Sequence, residues 1–499
     1  MTASIDTKDT KIATEYEAVI GLETHIQLQT ESKMFCECSA EYANAAPNTH
    51  VCPVCLGMPG VLPVINARAI ESITMFGQAL HCEIPEYSKF DRKNYFYPDL
   101  VKGYQITQFD LPVCINGWME IEADGKTKRV GITRVHQEED VGKLTHVNSP
   151  EGESYSLVDY NRSGVPLMEC VSEPDMTTPA EAAAYVTKIR SIVRWLGIGT
   201  GNMDEGAMRC DANVSVRPKG TKEFGVKVEV KNMNSIRSVH DAIAFEIERQ
   251  TQEIEAGIVI RQQTRGWDDV KNITVFQRLK EGSSDYRYFP EPDLPPLRLS
   301  QEWRDSVRAK MPEMAEVRRQ RFANDYALSS YDAEILTASR TTADYFEEAL
   351  GGQKTLARAK AVANWLLNEL FGRLKESGLE LSESKIKPAQ LAALIEQVES
   401  SAITGKTAKE VFEAMFESGQ NPQEIIRERG LAQITDQSLI AGIVEEVLNG
   451  ADSKLQKSIA DYKSGKEAAF NAIFGAVMRV TKGTVNRETV TELLKEKLK

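Results

Sequence analysis

Four of the eight cysteines are spaced as metal ligands. The pattern C-x-C, thirteen residues, then C-x-x-C is formed by Cys36, Cys38, Cys52 and Cys55. Two short thiol pairs on opposing turns, joined by a loop, can build a tetrahedral thiolate cage for zinc. A redox C-x-x-C would not need the second pair. Because four thiolates leave no open coordination position, we expect a structural zinc that staples the loop and does not act on a substrate.

A second candidate group begins in the stretch "AVIGLETHIQLQT", residues 18–30. Its even positions from Ala18 to Leu28 are apolar except for Thr24, and its odd positions include Glu23 and His25, so the period of two predicts a strand with one apolar and one polar face. The polar face has two interpretations. It is either the solvated side of an edge strand or part of a metal or proton-transfer site.

The apolar run "VPLMECVSEPD" favours the second interpretation because it contains Glu169. Burying an unpaired carboxylate is costly, so such a residue is usually paired with a cation or held neutral. The segment "TRVHQEEDVGK" adds Glu138, Glu139 and Asp140 behind His136, although taken alone it could be a surface turn. With Glu23 and His25, these residues predict an oxygen-rich site with one imidazole, which suits Mg²⁺ or Mn²⁺.

Two further segments could contact nucleic acid. The segment "FDRKNYFYPDLVKGYQITQFD" interleaves aromatic side chains with Lys93 and Lys102, a mixture that can stack on bases and contact phosphates but also occurs in ordinary cores. Between residues 454 and 487 seven basic residues stand against two acids, inside a chain of net charge −13. This local reversal of sign fits an RNA contact or a plain solvated face.

Several common catalytic motifs are missing from the sequence. It contains no G-x-x-x-x-G-K-S/T phosphate loop, no G-x-S-x-G nucleophile elbow, no H-E-x-x-H zinc motif and no dinucleotide fingerprint. Any nucleotide is therefore held by some other arrangement, and no activated serine nucleophile is expected.

The elements that must position these residues change character along the chain. Residues 16–297 are mostly strand-like, with a helix near "TTPAEAAAYVTKIRSIVRWLG" in which Thr178 is the predicted N-cap, Glu181 completes a capping box and Gly197 ends the helix. The segment "RCDANVSVRPKGTKEFGVKVEVKN" predicts a hairpin whose charged face is either plain surface or the wall of a polar cleft. Beyond residue 300 the pattern is helical, with a break near 400–407.

These patterns predict an α+β fold with four segments. We expect a disordered tail over 1–15, a large, mainly antiparallel-sheet catalytic domain over 16–297 that carries the zinc-stapled loop 36–55, an all-α domain over 298–405 and a small helical tail domain over 406–499. No apolar run is long enough to span a membrane, and the first residues lack the apolar core of a secretory signal. We therefore predict a cytoplasmic protein.

Seven segments, in this order, closely resemble the B subunit of the aspartyl/glutamyl-tRNA amidotransferase family. They are "GLETHIQLQTESKMF", "PGVLPVIN", "SKFDRKNYFYPDLVKGYQITQFD", "LVDYNRSGVPLMECVSEPD", "MRCDANVSVR", "EVKNMNS" and "DYRYFPEPDLPPL". The helical region and the closing "FNAIFGAVMRVTKGTVN" are similar to the family as well. The resemblance implies ATP- and Mg²⁺-dependent phosphorylation of the side-chain carboxylate on Glu-tRNA(Gln) or Asp-tRNA(Asn). Ammonia from a glutaminase A subunit then displaces the phosphate, in a heterotrimer completed by a small C subunit.

The resemblance also implies roles for individual residues. His25, Glu139 and Glu169 would be magnesium ligands, with Glu23 and Glu138 beside them in the catalytic site. The ammonia channel and substrate site would include Lys93, Tyr95, Tyr97 and Lys102, and the zinc ligands would be the four clustered cysteines. The residues of the tail domain expected to contact tRNA are Lys454, Lys457, Lys463, Lys466, Arg479 and Lys482.

Two segments depart from the family pattern, namely the polar extension before Glu15 and the lengthened "VNSPEGES". A second functional hypothesis is a non-catalytic, zinc-stapled scaffold that only presents tRNA to another catalyst. The two hypotheses differ in whether replacement of Glu169 or His25 abolishes product formation.

Overall fold

The computed structural model describes residues 15–149, 152–279, 286–433, 436–481 and 485–498. The predicted tail over 1–15 therefore lies almost entirely outside the described residues. The chain separates into two compact units between Met314 and Ala315. The first unit carries the strands and the second is helical. This confirms the predicted α+β fold, whereas the divisions at residues 297 and 405 stay predictions.

The first unit is organised by a large sheet. Within the described residues it has the strand order β13-β12-β11-β10-β1-β9-β6-β5, and every neighbouring pair is antiparallel except β11 and β12. Its strands are β1 (Tyr16–Gln27), β5 (Cys114–Ala123), β6 (Lys126–Glu139), β9 (Pro166–Ser172), β10 (Met208–Pro218), β11 (Val228–Met233), β12 (Gln263–Asp268) and β13 (Ile273–Leu279).

Three smaller sheets contain the other strands in the described residues of this unit, with orders β14-β3-β4, β15-β2 and β7-β8. Their strands are β2 (Tyr87–Ser88), β3 (Asp91–Asn94), β4 (Tyr104–Thr107), β7 (Lys143–Asn148), β8 (Ser154–Asp159), β14 (Phe289–Pro290) and β15 (Leu297–Arg298). The connection between β1 and the first helix, residues 28–66, contains no regular helix or strand and carries the four clustered cysteines.

Three helices pack on one face of the large sheet, namely α1 (Ala67–Ala79), α2 (Pro179–Leu196) and α3 (Ile236–Glu255). A fourth helix, α4 (Gln301–Ala309), packs on α1. The core between helices and sheet includes Ile20, Leu22 and Ile26 of β1, all at most 1% exposed. Burying such side chains contributes roughly 1.5–3 kcal/mol each. The apolar side of β1 therefore faces the helices, which leaves its polar side for the opposite face of the sheet.

Helix α2 illustrates how the local sequence fixes an element. Thr178 caps it by accepting a hydrogen bond from the Glu181 backbone N–H, and Gly197 ends it in the left-handed conformation with φ 67°. Both features agree with the prediction. The capping box differs, because the Glu181 carboxylate accepts from the Thr177 N–H at 2.6 Å and pairs with Lys128. The Glu181 side chain therefore bonds to the residue before the N-cap, and its pair with Lys128 connects the start of α2 to strand β6.

The second unit consists of helices. Its α-helices are α5 (Ala315–Asp325), α6 (Ser330–Leu336), α7 (Arg340–Ala349), α8 (Leu356–Asn364), α9 (Phe371–Ser377), α10 (Pro388–Glu399), α11 (Gly405–Ser418), α12 (Pro422–Arg429), α13 (Gln437–Asn449), α14 (Ser453–Lys463), α15 (Phe470–Val480) and α16 (Arg487–Lys497). Short 3₁₀ turns cover Leu381–Glu383 and Glu467–Ala469, and a π-helical segment, Trp365–Leu370, joins α8 to α9. A separate apolar core links α13, α15 and α16.

Among the helices in the described part of the chain, none is both long and apolar enough to cross a bilayer.

Candidate active site and thiol cluster

Three adjacent strands place a row of titratable side chains on the polar face of the large sheet. His25 of β1 lies directly opposite Glu169 of β9, and Glu169 lies directly opposite His136 of β6. Glu138 is two residues beyond His136, so it lies on the same face of β6. Because β1 lies between β10 and β9, the alternative that it is an edge strand is wrong.

The distances show how tightly this group is packed. The Glu169 Oε2 atom lies 3.4 Å from His25 Nε2 and 3.3 Å from His136 Nε2. Glu138 lies 3.8 Å from His25 and 3.9 Å from His136. Both carboxylates are buried, and His25 is only partly exposed.

The protonation of the group follows from its charges. Burial alone would lower the pKa of His25, but the carboxylates of Glu169 and Glu138 outweigh it and raise that pKa to about 9. Burial alone would raise the pKa of Glu169, whereas its contacts with His136 and His25 hold it well below the usual range. The group therefore binds positive charge strongly, whether as protons on imidazole or as a cation.

The donor atoms also fit a divalent ion. His25, Glu138 and Glu169 each offer one ligand atom, and these atoms all lie within 4.8 Å of one another. Two carboxylates and one imidazole are a donor set that suits Mg²⁺ or Mn²⁺. We call these three residues the carboxylate cluster.

Glu139 and Glu23 lie outside the carboxylate cluster. The Glu139 carboxylate pairs with Lys102 and accepts a hydrogen bond from the Ile106 N–H at 3.0 Å. Glu23 is on the same face as His25, where it accepts from Asn213 at 2.9 Å. The structure thus groups Glu138, not Glu139, with His25 and Glu169.

A cleft of about 360 Å³ opens above the carboxylate cluster. Its lining includes the cations Lys93, Arg209 and Lys231, the acids Asp140 and Asp211, and further polar and apolar residues. The pKa of Lys93 and that of Lys231 are both raised, because nearby carboxylates outweigh the effect of burial. The cleft therefore keeps its cations charged beside the carboxylate cluster.

The predicted hairpin supplies one wall of this cleft. Strands β10 and β11 pair as expected, which confirms the hairpin. On its polar face Arg209 contacts Asp140 at 2.9 Å, and Lys231 contacts Asp211 at 2.5 Å. Of the two alternatives for this face, the polar cleft is therefore correct. No site role was predicted for the individual residues of this wall or for His136, although the period-two alternation of β6 puts His136 on the face of Glu138.

The remaining residues predicted for the channel and substrate site are dispersed. The Lys93 Nζ atom lies 5.0 Å from the centre of the Tyr286 ring and 5.9 Å from that of Tyr95. Lys102 is buried against Glu139, and Tyr97 is 61% exposed. Lys93 and Tyr95 therefore belong to the cleft, whereas Lys102 lines a different cavity.

The four clustered cysteines come together in the loop after β1. Their sulfur atoms all lie within 4.8 Å of one another, which is the arrangement that a tetrahedral thiolate site requires. The Lys33 Nζ atom lies 3.7 Å from Cys55 Sγ and donates to the His50 carbonyl at 2.7 Å. The hydrogen bond from Cys36, together with the charge of Lys33, lowers the pKa of the Cys55 thiol. The site thus fits zinc.

Five of the six predicted tRNA-contacting residues lie in the described part of the tail, and Lys482 lies outside it. All five are exposed, and Lys466 pairs with Asp461 at 2.9 Å. They are Lys454, Lys457, Lys463, Lys466 and Arg479.

Comparisons with known proteins cover nearly the whole chain. Residues 18–305 match the GatB/GatE catalytic domain family, and residues 344–498 match the GatB domain family. The B subunit of the aspartyl/glutamyl-tRNA(Asn/Gln) amidotransferase from Carboxydothermus hydrogenoformans is 51% identical over 484 residues, 97% of this chain and 99% of the relative. The relatives of the same name from Dehalococcoides mccartyi and Thermomicrobium roseum are each 51% identical, over 492 and 484 residues, with the same coverage. The chain therefore belongs to the family of aspartyl/glutamyl-tRNA(Asn/Gln) amidotransferase B subunits.

Proposed function

We propose that this chain is the subunit that activates and amidates the side-chain carboxylate of Glu-tRNA(Gln), Asp-tRNA(Asn) or both, as a glutamine-hydrolysing ligase subunit in protein biosynthesis. The observation that supports it is the carboxylate cluster, of which His25 and Glu138 line a cleft that also holds cationic side chains. Phosphoryl transfer needs this combination, because the transferred group and both oxygens in line with it carry negative charge.

In this proposal His25, Glu138 and Glu169 would hold Mg²⁺, and ATP would enter the cleft above them. Bound Mg²⁺ would neutralise phosphate oxygens and align the transferred phosphoryl group with the attacking carboxylate. Lys93 and Lys231 remain protonated and can contact phosphate or the substrate carboxylate. Since the substrate carboxylate is itself the nucleophile, no serine, cysteine or lysine nucleophile is needed.

We assign zinc to the thiol cluster, where its role would be structural. All four coordination positions would be filled by Cys36, Cys38, Cys52 and Cys55, so no position would be left for a substrate. Held together in this way, the loop would keep one conformation although it contains no regular helix or strand.

We further propose that the chain works in a cytoplasmic heterotrimer with a glutaminase A subunit and a small C subunit. Ammonia from the A subunit would reach the cleft past Lys93 and Lys102, with Tyr95 and Tyr97 nearby. The exposed basic residues of α14 and α15 support a tRNA contact by the tail domain, for which we retain the range 406–499.

The deciding experiment is a comparison of the wild type with Glu169→Ala in the purified complex, supplied with ATP, Mg²⁺, Glu-tRNA(Gln) and ammonium. Ammonium bypasses the glutaminase, so only the chemistry assigned to this chain is measured. We expect phosphate release and Gln-tRNA formation to fall at least about 100-fold while tRNA binding persists.

The exposed Glu120→Ala is the matched control, and it should retain full activity. If Glu169→Ala stays folded and amidates at the wild-type rate, the carboxylate cluster is structural. A non-catalytic, zinc-stapled scaffold that presents tRNA would then be the better description.

A further inference from the structure

The loop that carries the cysteines touches the side chain of Lys102. Gly57, two residues after Cys55, has φ +66°, and a Cβ atom at this position would lie 2.5 Å from Lys102 Cγ and 3.2 Å from Lys102 Cβ. The Gly57 backbone therefore packs directly on the methylene stem of Lys102. No side chain larger than hydrogen fits between them.

A second contact connects the loop to Glu139, the ion-pair partner of Lys102. A Cβ atom on Gly164 would lie 3.6 Å from Cys55 Cβ and 3.8 Å from Glu139 Oε2. Gly164 is therefore close to both the Cβ atom of Cys55 and the Glu139 carboxylate. On the loop side, the Phe35 ring also faces Lys102, with its centre 5.9 Å from Lys102 Nζ.

The Lys102–Glu139 pair is buried, with side chains 7% and 4% exposed. A buried ion pair keeps its geometry only if the surrounding atoms hold it, because desolvated charges cannot exchange partners with water. Here the surrounding atoms include the cysteine loop, and together they line a cavity of about 190 Å³. The position of Lys102 therefore depends on the conformation of the loop.

Glu139 is also adjacent in sequence to Glu138, which belongs to the carboxylate cluster. The backbone carbonyl of Glu139 accepts a hydrogen bond from Gln105 at 2.7 Å, and its carboxylate is held by Lys102. These contacts fix the last residues of β6, with Gln105 on the side of the cleft and Lys102 on the side of the other cavity. A shift of Lys102 would therefore reach Glu138 through a single peptide unit.

We propose that the cysteine loop is a positioning element for the carboxylate cluster, acting through Gly57, Lys102 and Glu139. The inference rests on the proposed function, and it gives the thiol cluster a role beyond stabilising its own loop. In this proposal Lys102 and Glu139 are positioning residues that act through Glu138, which would hold the metal ion together with His25 and Glu169.

Gly57→Ala tests this, and Gly60→Ala is its matched control. Both glycines lie in the same loop with positive φ, +66° and +84°, but a Cβ on Gly60 would have no atom of the described residues within 4 Å. Backbone strain is therefore common to both variants, and only Gly57→Ala displaces Lys102. In the ammonium-supplied complex we expect Gly57→Ala to lower kcat roughly 10- to 100-fold, with the KM for Glu-tRNA(Gln) unchanged within about twofold and zinc retained.

We expect Gly60→Ala to match the wild type in kcat, in the KM for Glu-tRNA(Gln) and in zinc content. Equal kcat values for the two variants, or a loss in Gly57→Ala that follows loss of zinc, would overturn the proposal.

A second measurement does not depend on activity. Lysine acetylation followed by mass spectrometry on the zinc-loaded and the zinc-stripped full chain should show Lys102 at least about fivefold more reactive after stripping, because loosening the loop exposes the amine. Lys231, a paired lysine on another strand, should not change. Equal Lys102 reactivity in both forms would overturn the coupling. If the wild-type complex fails to amidate, the proposed function is overturned. The reactivity of Lys102 would still show whether the cysteine loop holds this side chain in place.

Discussion

The two candidate cation sites found among the described residues are built in different ways. The carboxylate cluster is carried by three neighbouring strands, and each ligand is placed by strand register, so its geometry exists before any ion binds. The thiol cluster is carried by a segment without regular helix or strand, where only turns and the thiols themselves bring its ends together.

Because of this difference, the two sites should respond differently to the loss of their ions. The sheet holds the carboxylate cluster whether or not a cation is present, so removing the cation should affect chemistry more than folding. In the thiol loop the metal replaces secondary structure as the source of order, so removing it should affect the fold. Three predictions examine this contrast, in decreasing order of effect.

The first prediction concerns the neighbouring acids of β6. Glu138→Gln should lower Mg²⁺-dependent phosphate release at least about 1,000-fold, roughly 4 kcal/mol, with little loss of stability, because it removes a ligand from a preformed site. Glu139→Gln should raise the Mg²⁺ requirement far less, because it acts only through the position of Glu138, but it should lower the free energy of unfolding by about 3 kcal/mol, since it leaves Lys102 buried without its partner.

Measuring the Mg²⁺ concentration for half-maximal rate, together with urea unfolding, separates these effects. A raised Mg²⁺ requirement in Glu139→Gln alone would show that Glu139 is the ligand that the family resemblance implies, and that β6 rearranges on binding.

The second prediction concerns the thiol loop. Cys36→Ser should abolish zinc binding and lower the free energy of unfolding by about 3 kcal/mol, the size expected for losing a cross-link across a loop of this length. Thermal unfolding and metal analysis of the full chain measure both quantities. Cys82→Ser, at a cysteine outside the loop, is the control and should change neither. Undiminished stability in a zinc-free Cys36→Ser chain would remove the contrast between the two sites.

The third prediction concerns pH in the metal-free chain. The pKa of His25 rises from 6.5 to about 9 on folding, so the protonated imidazole stabilises the fold. That contribution is complete below pH 6.5 and is lost as pH rises to about 9. The unfolding free energy of the wild type relative to His25→Asn should therefore fall, by on the order of 2 kcal/mol, across this window.

Urea unfolding in a chelator buffer at several pH values measures this difference. With Mg²⁺ added, the stability difference between the wild type and His25→Asn should rise with pH instead of falling, because the cation replaces the proton at the same atoms. A difference that is independent of pH would mean that the charge of His25 is not coupled to the neighbouring carboxylates.

Local patterns in the sequence were sufficient for much of the fold. Alternation in residues 18–30 predicted the strand β1 and its two faces, and the capping residues predicted the ends of α2. The cysteine spacing was enough to predict that the four thiols meet. Each of these depends on interactions between residues close in sequence, which is why a single sequence reveals them.

Other features depend on which segments become neighbours in space. Nothing within β1 indicates that β9 and β10 flank it, so the central position of His25 could not be deduced from its own strand. The separation of Glu138 from Glu139 is a different case. Period-two alternation predicts that adjacent residues of a strand face opposite sides, and that rule alone would have divided the acidic pair. The π-helical segment Trp365–Leu370 had no signal that we recognised.

The opposite orientation of Glu138 and Glu139 also determines where this chain can change length. One residue inserted into β6 before His136 would exchange the two faces, so that a carboxylate now in the cleft would point into the cavity behind it. The hairpin β7–β8 forms a separate two-stranded sheet, and the described residues of the connection between its strands, Ser149, Gly152 and Glu153, hydrogen-bond to one another. Insertions can accumulate there without disturbing either site, whereas β6 must keep its residue count.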